Sequence, residues 1–493
     1  MNWSRVRIAP RSAAHVFVAL SATFLPAVGP PNEVSAQELA PQTIAELEFD
    51  ELVFSPPEPE RYTLEPGVEV FVLEDHTLPL VSVYARFKGG PSYFLRSELG
   101  AATAVPILLR SGGTTDLSPD SVDKLLEFYA TQTSFGGGGS TSSSSVNMLT
   151  RHVDDVLPIW GELLKRPAFD VASIEVWRGQ ELEDVRRKQD APGRLAVSKF
   201  NHLLFGDHPI GWEVGVGDLE PEDLTTEALR SVHERIYCAD NLTLGVTGDI
   251  IWRDMRPRLE ALVADWPPCE RSLSEPPSPN EVVEPGVYVV PRELEQSTVV
   301  IGRASSVRQG DEGEYFSSRI GNAILGSSGM TSRLVTRVRT EQGLAYSAAS
   351  VWTAPRRSAG LVGAITQTKS ESTVATIRAV LSVLREMSVD PPDATEVNDA
   401  IDRIVNGFVF NFESPGRIVS RQMLYKTQDI PLDWLTRYLT GIQNVTTGGV
   451  EALFREHLSP SDIDNMIILV VGDPGAFDPG LAELGPVRTI NPE

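Results

Sequence analysis

Histidine is the residue type that most directly signals hydrolytic or metal chemistry, because its imidazole binds zinc and exchanges protons near neutral pH. The chain has seven histidines, which are His15, His76, His152, His202, His208, His233 and His457. No two of them have the four-residue spacing that places two imidazoles on one helical face, and His202 and His208 are six apart. We therefore expect no zinc ion in this chain by itself.

Other catalytic patterns are missing as well. No Gly-x-Ser-x-Gly motif of a serine hydrolase occurs. Gly136 to Gly139, followed by Ser140 to Ser145, is rich enough in glycine for a phosphate loop, but the lysine of such loops does not follow it. We predict a flexible loop or strand at the edge of a cleft there. Gly326-Ser-Ser-Gly329 is a second glycine-containing stretch. As a bare pattern it is also typical of a turn before a helix from Met330 to Arg339.

Composition and charge limit the possible partners. The hydrophobic fraction of 41% and the charged fraction of 22% are those of a globular protein. Acidic residues outnumber basic ones by 67 to 43, which gives a formal net charge of -24. A field of that sign opposes binding to nucleic acid and to anionic lipid. The two cysteines, Cys238 and Cys269, are too few for a disulfide scaffold, and the sequence leaves open whether they are bridged.

The N-terminus has the pattern of an export signal. Arginines precede an apolar stretch from Ala13 to Val28, and Val34-Ser35-Ala36 follows as a small-residue cleavage site. Residues 1–36 are therefore predicted to be a signal peptide, with an N-terminal extension at 37–60. The expected location is the periplasm or cell envelope, with no membrane span after the signal is removed.

The rest of the chain divides into two parts. Arg271 to Gly286 contains four prolines and is predicted to be a linker. It separates an N-terminal domain at 61–270 from a C-terminal domain at 287–476, and 477–493 forms a tail.

The ends of the two domains are similar to each other. Asp223 to Asp249 and Asn444 to Asp473 both place a Thr-Thr pair before a helix pattern, then a polar loop and an apolar strand that ends in Gly-Asp. One three-residue insertion aligns the two segments. This repeat predicts two homologous halves.

Local patterns predict the same mixed architecture in both halves. Ser118-Pro119 is typical of a helix start. Val68–Leu73 and Val81–Phe87 have the pattern of strands around a turn, which favours antiparallel pairing between them. In the second half, a strand at Leu361–Gln367 precedes a helical stripe that begins at Val374. The expected fold class is α+β.

Several longer motifs then show a family resemblance over about residues 60–475. The chain resembles insulinase/pitrilysin-type metallopeptidases, the family of mitochondrial processing peptidase, in ELGAATAVPILLRSGGT, LLFGDHPIGWEVGVGDLE, CADNLTLGVTGD and LGSSGMTSRLVTRVRTEQGLAYSAAS. The resemblance implies two homologous α+β domains, mainly antiparallel sheets packed with helices, that enclose a cleft and are joined by the Pro-rich linker.

The resemblance also identifies what is missing. Active members carry His-x-x-Glu-His on a helix of the first domain, where the histidines hold zinc and the glutamate is the general base. Here these positions are Thr103, Ala104, Val105, Pro106 and Ile107, and the proline is expected to disturb the helical spacing of the motif. The distal glutamate ligand of the family falls near Asp184. The resemblance therefore implies no metal site in this chain.

The second domain keeps the family's other catalytic elements. Arg339 and Tyr346, in VRTEQGLAY, match an arginine and a tyrosine that contact the substrate backbone and the oxyanion in active members. Gly326 and Gly329 match a glycine-containing loop near the substrate. Arg333 and Arg337 have no such match and are expected to be solvated charges.

We expect an exported, non-zinc subunit of a heteromeric metallopeptidase that is inactive alone. Its partner would be an insulinase-type chain with an intact His-x-x-Glu-His motif, which would hold the zinc, and its substrates would be peptides. The alternative is an inactive pseudopeptidase that binds peptides or acts as a scaffold in the cell envelope.

Overall fold

The structure is a computed structural model that describes residues 57–65, 67–270, 273–276 and 284–491. The predicted signal peptide at 1–36 lies outside the described residues. Within the described part of the chain, no helix is both long and apolar enough to cross a bilayer.

The first half is built on a six-stranded sheet. Its strands are β1 Glu60–Leu64, β2 Val68–Glu74, β3 Leu80–Lys88, β4 Gln132–Gly138, β5 Thr141–Leu149 and β6 Leu242–Gly248. They lie in the order β1-β2-β6-β3-β5-β4. Alternate residues of β3 are buried, among them Val81, Val83, Ala85 and Phe87, so one face of the sheet packs on the core.

The second half repeats this sheet. Its strands are β7 Gly286–Pro291, β8 Gln296–Ser305, β9 Ala345–Trp352, β10 Gly360–Lys369, β11 Ile467–Gly472 and β12 Val487–Thr489. Their order is β12-β7-β11-β8-β10-β9. In both sheets the last long strand of the half lies between a parallel and an antiparallel neighbour. Strand β6 is parallel to β2 and antiparallel to β3, as β11 is parallel to β7 and antiparallel to β8. The fold is therefore α+β with two homologous halves.

Helices cover the sheets. In the first half they are α1 Leu99–Ser111, α2 Pro119–Phe128, α3 Val153–Lys165, α4 Val171–Gln189, α5 Pro192–Phe205, α6 Thr226–Ile236 and α7 Trp252–Val263. In the second half they are α8 Gly313–Asn322, α9 Thr373–Val389, α10 Ala394–Gly407, α11 Pro415–Thr427, α12 Trp434–Gln443, α13 Thr447–His457 and α14 Pro460–Asp464, with π-helical segments at Ala323–Ser327 and Val335–Glu341.

The repeat at the two domain ends is confirmed in three dimensions. Thr225 and Thr446 cap α6 and α13 in the same way, each accepting a hydrogen bond from the backbone N–H three residues later. The extra residues of the second half lie between helix and strand, where α14 takes the place of a shorter 3₁₀ turn at Ala239–Asn241 in the first half. The insertion therefore leaves the helix and the strand of the repeat intact.

Other local predictions are confirmed, but one pairing is wrong. Ser118 caps α2 with Pro119 at its first position, and β10 precedes α9. In contrast, β2 and β3 do not pair with each other, because β6 lies between them. A short connection predicts a hairpin only when no distant strand competes for the same edge, and β6 contributes an apolar strand that is buried on both faces. The predicted tail at 477–493 contributes β12, which is parallel to β7.

Each half also supplies one helix to the sheet of the other half. Helix α5 of the first half packs on β8 and β11, where Phe200 is buried against Val300 and Leu469. Helix α11 of the second half packs on β2, β3 and β6, where Val419 and Met423 are buried with Phe71. Both helices begin with Pro-Gly-Arg, at residues 192–194 and 415–417. This exchange joins the two halves in one compact unit.

The cysteines form a disulfide between Cys238 and Cys269, with the Cα atoms 4.9 Å apart. The bridge links the residues after α6 to those after α7, and both cysteines lie in the first half. It therefore stabilises the first half and makes no covalent connection to the second.

Candidate functional site

Helix α1 carries the positions of the lost zinc motif. Thr103 is half-buried, and its hydroxyl donates to the Leu99 carbonyl oxygen over 2.8 Å. Ile107, one turn later, is 44% exposed. The two positions thus share a partly accessible helical face, as the family spacing requires, but they present one hydroxyl and one apolar side chain. Neither a threonine hydroxyl nor an isoleucine side chain is a usual zinc ligand in proteins.

The position of the general base is buried. Pro106 lies inside α1, which continues through it to Ser111, so the expected disturbance of the helix does not occur. The ring instead packs against the glycine-rich strand β4, where a Cβ on Gly137 would come within 2.7 Å of Pro106 Cγ. Gly136 to Gly138 are thus strand residues at the sheet edge, joined to β5 by a two-residue turn with Gly139 at φ +55°.

The distal ligand position lies on a neighbouring helix. Asp184 is an exposed residue of α4, which packs against α1. One turn earlier, burial and the nearby Asp184 charge raise the pKa of Glu181 above its ordinary value. A single carboxylate at the family position, without either imidazole, does not provide the ligand set of a zinc site.

Arg339 and Tyr346 are brought together by the second half. Arg339 lies in the π-helical segment Val335–Glu341, and Tyr346 lies at the start of β9. The guanidinium carbon of Arg339 is 6.0 Å from the centre of the Tyr346 ring. Both side chains are exposed, Tyr346 by 77%. The Arg339 guanidinium has Met330 Sδ at 3.3 Å, and no carboxylate of the described residues forms an ion pair with it.

The neighbouring arginines, unlike Arg339, form ion pairs with carboxylates. The expectation that Arg333 is a solvated charge is wrong: its side chain is 21% exposed and forms a bidentate pair with Glu396, over 2.6 and 2.9 Å. The hydrogen bonds from Arg333 hold the pKa of Glu396 below its ordinary value. Arg337 is more exposed but is paired with Glu341 and Glu386. Arg339 is thus the guanidinium of the three that is left available to a ligand.

The glycines matched to the substrate loop have different surroundings. Gly326 lies in the π-helical segment Ala323–Ser327, where a Cβ would come within 2.5 Å of the Ser350 nitrogen in β9. A packing requirement therefore accounts for this glycine. Gly329 lies in the following turn with φ +82° and open space around its Cα. The helix predicted from Met330 begins a few residues later than expected, after Ser332.

Only one histidine lies in a group with metal-ligand character among the described residues. Glu314, Glu456 and His457 have ligand atoms within 4.8 Å of one another. His457 is buried and hydrogen-bonds to Glu314. The spacing of residues along the sequence gives no signal for this group, because Glu314 is 143 positions away from His457. His208 caps the short turn Pro209–Gly211, as expected of a loop residue.

Comparison with known proteins agrees with this geometry. A family model described as "Peptidase M16 inactive domain" matches residues 223–404. The chain is also 22% identical over 404 residues to the "Non-peptidase homolog YmxG" of Helicobacter pylori, covering 81% of this chain and 91% of that protein. The chain is thus similar to the insulinase-type peptidases. Because Thr103, Pro106 and Ile107 occupy the zinc-motif positions, the chain lacks the zinc ligands and the general base of active members of that family.

Solved structures share the fold of this chain. A peptidase M16 inactive domain from Pseudomonas fluorescens superposes with a TM-score of 0.74 at 22% identity, covering 85% of this chain and 98% of that one. The periplasmic protease PqqL from Escherichia coli gives a TM-score of 0.68 at 11% identity, covering 89% of this chain and 49% of PqqL. The predicted family resemblance and the predicted α+β fold are confirmed.

Proposed function

We propose that this chain is the non-zinc subunit of a two-chain, insulinase-type metallopeptidase. The observation that carries the proposal is the exposed Arg339–Tyr346 pair in a chain that has lost its own zinc ligands. A charged side chain and a phenol held together on the surface, without an ionic partner for the arginine among the described residues, are available to a bound peptide.

The contribution of the pair would be hydrogen bonding. A guanidinium and a phenol O–H both donate to oxygen, so the two can bind a peptide carbonyl and gain strength as negative charge develops on it. The position of the ring beside the guanidinium orients Arg339 for this task. In this arrangement zinc is held by the His-x-x-Glu-His residues of the partner and supplies the activation of water.

Export is the second part of the proposal. It is supported by the signal pattern at residues 1–36, and by the Cys238–Cys269 disulfide, because such bonds persist mainly in oxidising compartments. The match to a periplasmic protease is compatible with the same location.

The first test is purification of the tagged chain from its own cell envelope under gentle conditions. We expect an insulinase-type chain with His-x-x-Glu-His to co-purify in equal amount. Recovery of this chain alone, or as a homodimer, would instead favour a pseudopeptidase that binds peptides or serves as a scaffold.

The second test separates catalysis from assembly. In the purified complex, Arg339→Gln and Tyr346→Phe should each lower kcat/KM for peptide hydrolysis by at least about tenfold, or ~1.4 kcal/mol of transition-state stabilisation. Arg337→Gln is the matched control, since it removes an exposed charge from the same π-helical segment. Size-exclusion chromatography checks that all variants still assemble. A loss well under tenfold for both variants would contradict the catalytic role.

A further inference from the structure

A cavity of about 380 Å³ lies in the second half among α8, α10, α11 and α12. Five aromatic side chains line it, namely Tyr315, Phe408, Tyr425, Trp434 and Tyr438. Four of these rings are in contact: the Tyr315 ring centre is 5.8 Å from that of Trp434 and 6.4 Å from that of Tyr438, and the Phe408 ring is stacked on Tyr438 at 6.4 Å. We refer to this space as the aromatic cavity.

Two arginines also line the aromatic cavity, Arg319 from α8 and Arg421 from α11. None of the described residues that line the cavity is acidic, although acidic residues outnumber basic ones by 67 to 43 in the chain as a whole. Neither arginine forms an ion pair with a carboxylate of the described residues. The cavity therefore concentrates positive charge in an acidic protein.

The hydrogen-bonding capacity of these arginines is only partly used. Arg319 donates to the Trp352 carbonyl and lies over the Tyr315 ring at 5.5 Å, while its buried Nε has no partner among the described residues. Arg421 donates to Asn411 Oδ1 over 2.7 Å. Since each guanidinium has five N–H groups, donors remain for an anionic ligand.

The tyrosines of the cavity stay neutral. Burial raises the pKa of Tyr438 to about 12, and burial also raises the pKa values of Tyr315 and Tyr425. Their hydroxyls are therefore protonated at neutral pH and leave the charge of the two guanidiniums uncompensated.

We propose that the aromatic cavity binds a small organic carboxylate with an aromatic or other apolar body. A guanidinium pairs with a carboxylate through parallel N–H···O bonds, and the rings provide stacking surfaces for the body of the ligand. A volume of about 380 Å³ is within the range of small-molecule sites.

The position of α11 couples ligand binding in the aromatic cavity to the contact between the two halves. Arg421 and Tyr425 line the cavity from one side of the helix, while Val419 and Met423 pack from the other side on the sheet of the first half. A ligand in the cavity would therefore stabilise the helix that connects the two halves.

Calorimetric titration of the purified full chain tests the proposal with four probes. N-acetyl-L-phenylalanine carries both the carboxylate and the ring, its carboxamide removes the charge, acetate removes the ring, and inorganic phosphate offers a different anion. We expect N-acetyl-L-phenylalanine to bind at least tenfold more tightly than each of the others. Equal binding of the carboxamide, tighter binding of phosphate, or no saturable binding of the carboxylate would overturn the proposal.

Substitutions locate the binding site. Arg421→Gln should weaken binding of N-acetyl-L-phenylalanine at least tenfold, and Arg319→Gln should do the same if it folds without the bond to Trp352. Arg437→Gln is the control, because Arg437 lies on α12 but is paired with Asp311 and Asp433 outside the cavity lining. A folded Arg421→Gln protein with unchanged affinity would place the ligand elsewhere and contradict the proposal.

Discussion

The ring of Pro106 fills the space that a side chain at Gly137 would need, since a Cβ there would lie 2.7 Å from Pro106 Cγ. The helix that carries the lost zinc motif and the glycine-rich edge strand therefore approach each other closely. The proline at the general-base position is thus part of the packing of the first half, as well as a missing catalytic residue.

This contact predicts a position-specific effect of alanine in β4. Gly137→Ala should lower the free energy of unfolding by about 1–3 kcal/mol, because the added methyl overpacks the contact with α1. Gly136→Ala and Gly138→Ala should change it by less than about 0.5 kcal/mol, since a Cβ at either position meets nothing within 4 Å. Denaturant unfolding of the three variants measures this, and equal effects at all three positions would contradict the packing argument.

The exchange of α5 and α11 predicts that the halves stay together without the connecting peptide. If a protease site is introduced at residues 277–283 and cut, the two fragments should co-elute on size-exclusion chromatography and separate only in denaturant. The disulfide cannot hold them, because both of its cysteines lie before the cut.

A charge in the shared core should reverse that result. Phe200→Asp places a carboxylate where α5 packs on the second sheet, at a side chain that is 1% exposed, so the cut fragments should separate. Phe128→Asp is the control, because Phe128 is 78% exposed. Fragments that separate in the unsubstituted protein would show that the exchanged helices do not join the halves.

The disulfide should contribute measurably to stability. It closes a loop with a sequence separation of 31, for which the chain-entropy relation gives about 3–4 kcal/mol. Reduction of the native protein should lower the free energy of unfolding by about that amount. The Cys238→Ser/Cys269→Ser protein should show the same loss and no further response to the reductant; a stability that reduction does not change would argue against the bridge.

His233 predicts a pH dependence with a definite sign. Burial lowers the pKa of His233 from 6.5 to about 4, so between these values the unfolded chain binds a proton that the folded chain does not. Stability should therefore fall as the pH is lowered from about 6.5 to 4, by up to about 3 kcal/mol from this residue, and the contribution should level off below pH 4.

Urea unfolding across this pH range tests the assignment to His233. His233→Gln should flatten the pH dependence by about one proton, whereas His76→Gln, at an exposed histidine, should leave that slope in place. The same slope in the His233→Gln protein would assign the effect to other groups.

Patterns that depend on neighbouring residues could be predicted from the sequence. The N-cap at Ser118 and the repeated helix–strand endings follow from turn chemistry and apolar periodicity, which the chain expresses locally. The pairing of β2 and β3 was mispredicted because β6, which separates them, is far away in the sequence. The Pro-Gly-Arg repeat at 192–194 and 415–417 was a usable signal for the exchanged helices.

The identities of the candidate site residues could be predicted from the sequence, whereas their burial and ion pairing could not. The loss of the zinc motif and the retained Arg339 and Tyr346 follow from family motifs. In contrast, the ion pair of Arg333 depends on Glu396 in α10, which follows β9, β10 and α9 in the chain. The Glu314–His457 contact and the aromatic cavity also join distant helices. Burial and charge pairing of this kind arise from tertiary packing, and the spacing of residues along the sequence does not specify that packing.

The exchanged helices also govern when the protein can fold during its synthesis. The apolar surface around Phe71 stays uncovered until α11, which ends at Thr427, has left the ribosome, and Phe200 has no partner until β8 and β11 have been made. The N-terminal half therefore cannot complete its fold as an independent early unit, as many domains do. Its final packing requires almost the entire chain to be synthesised. A nascent or truncated protein therefore exposes an aggregation-prone apolar surface that chaperones would have to protect.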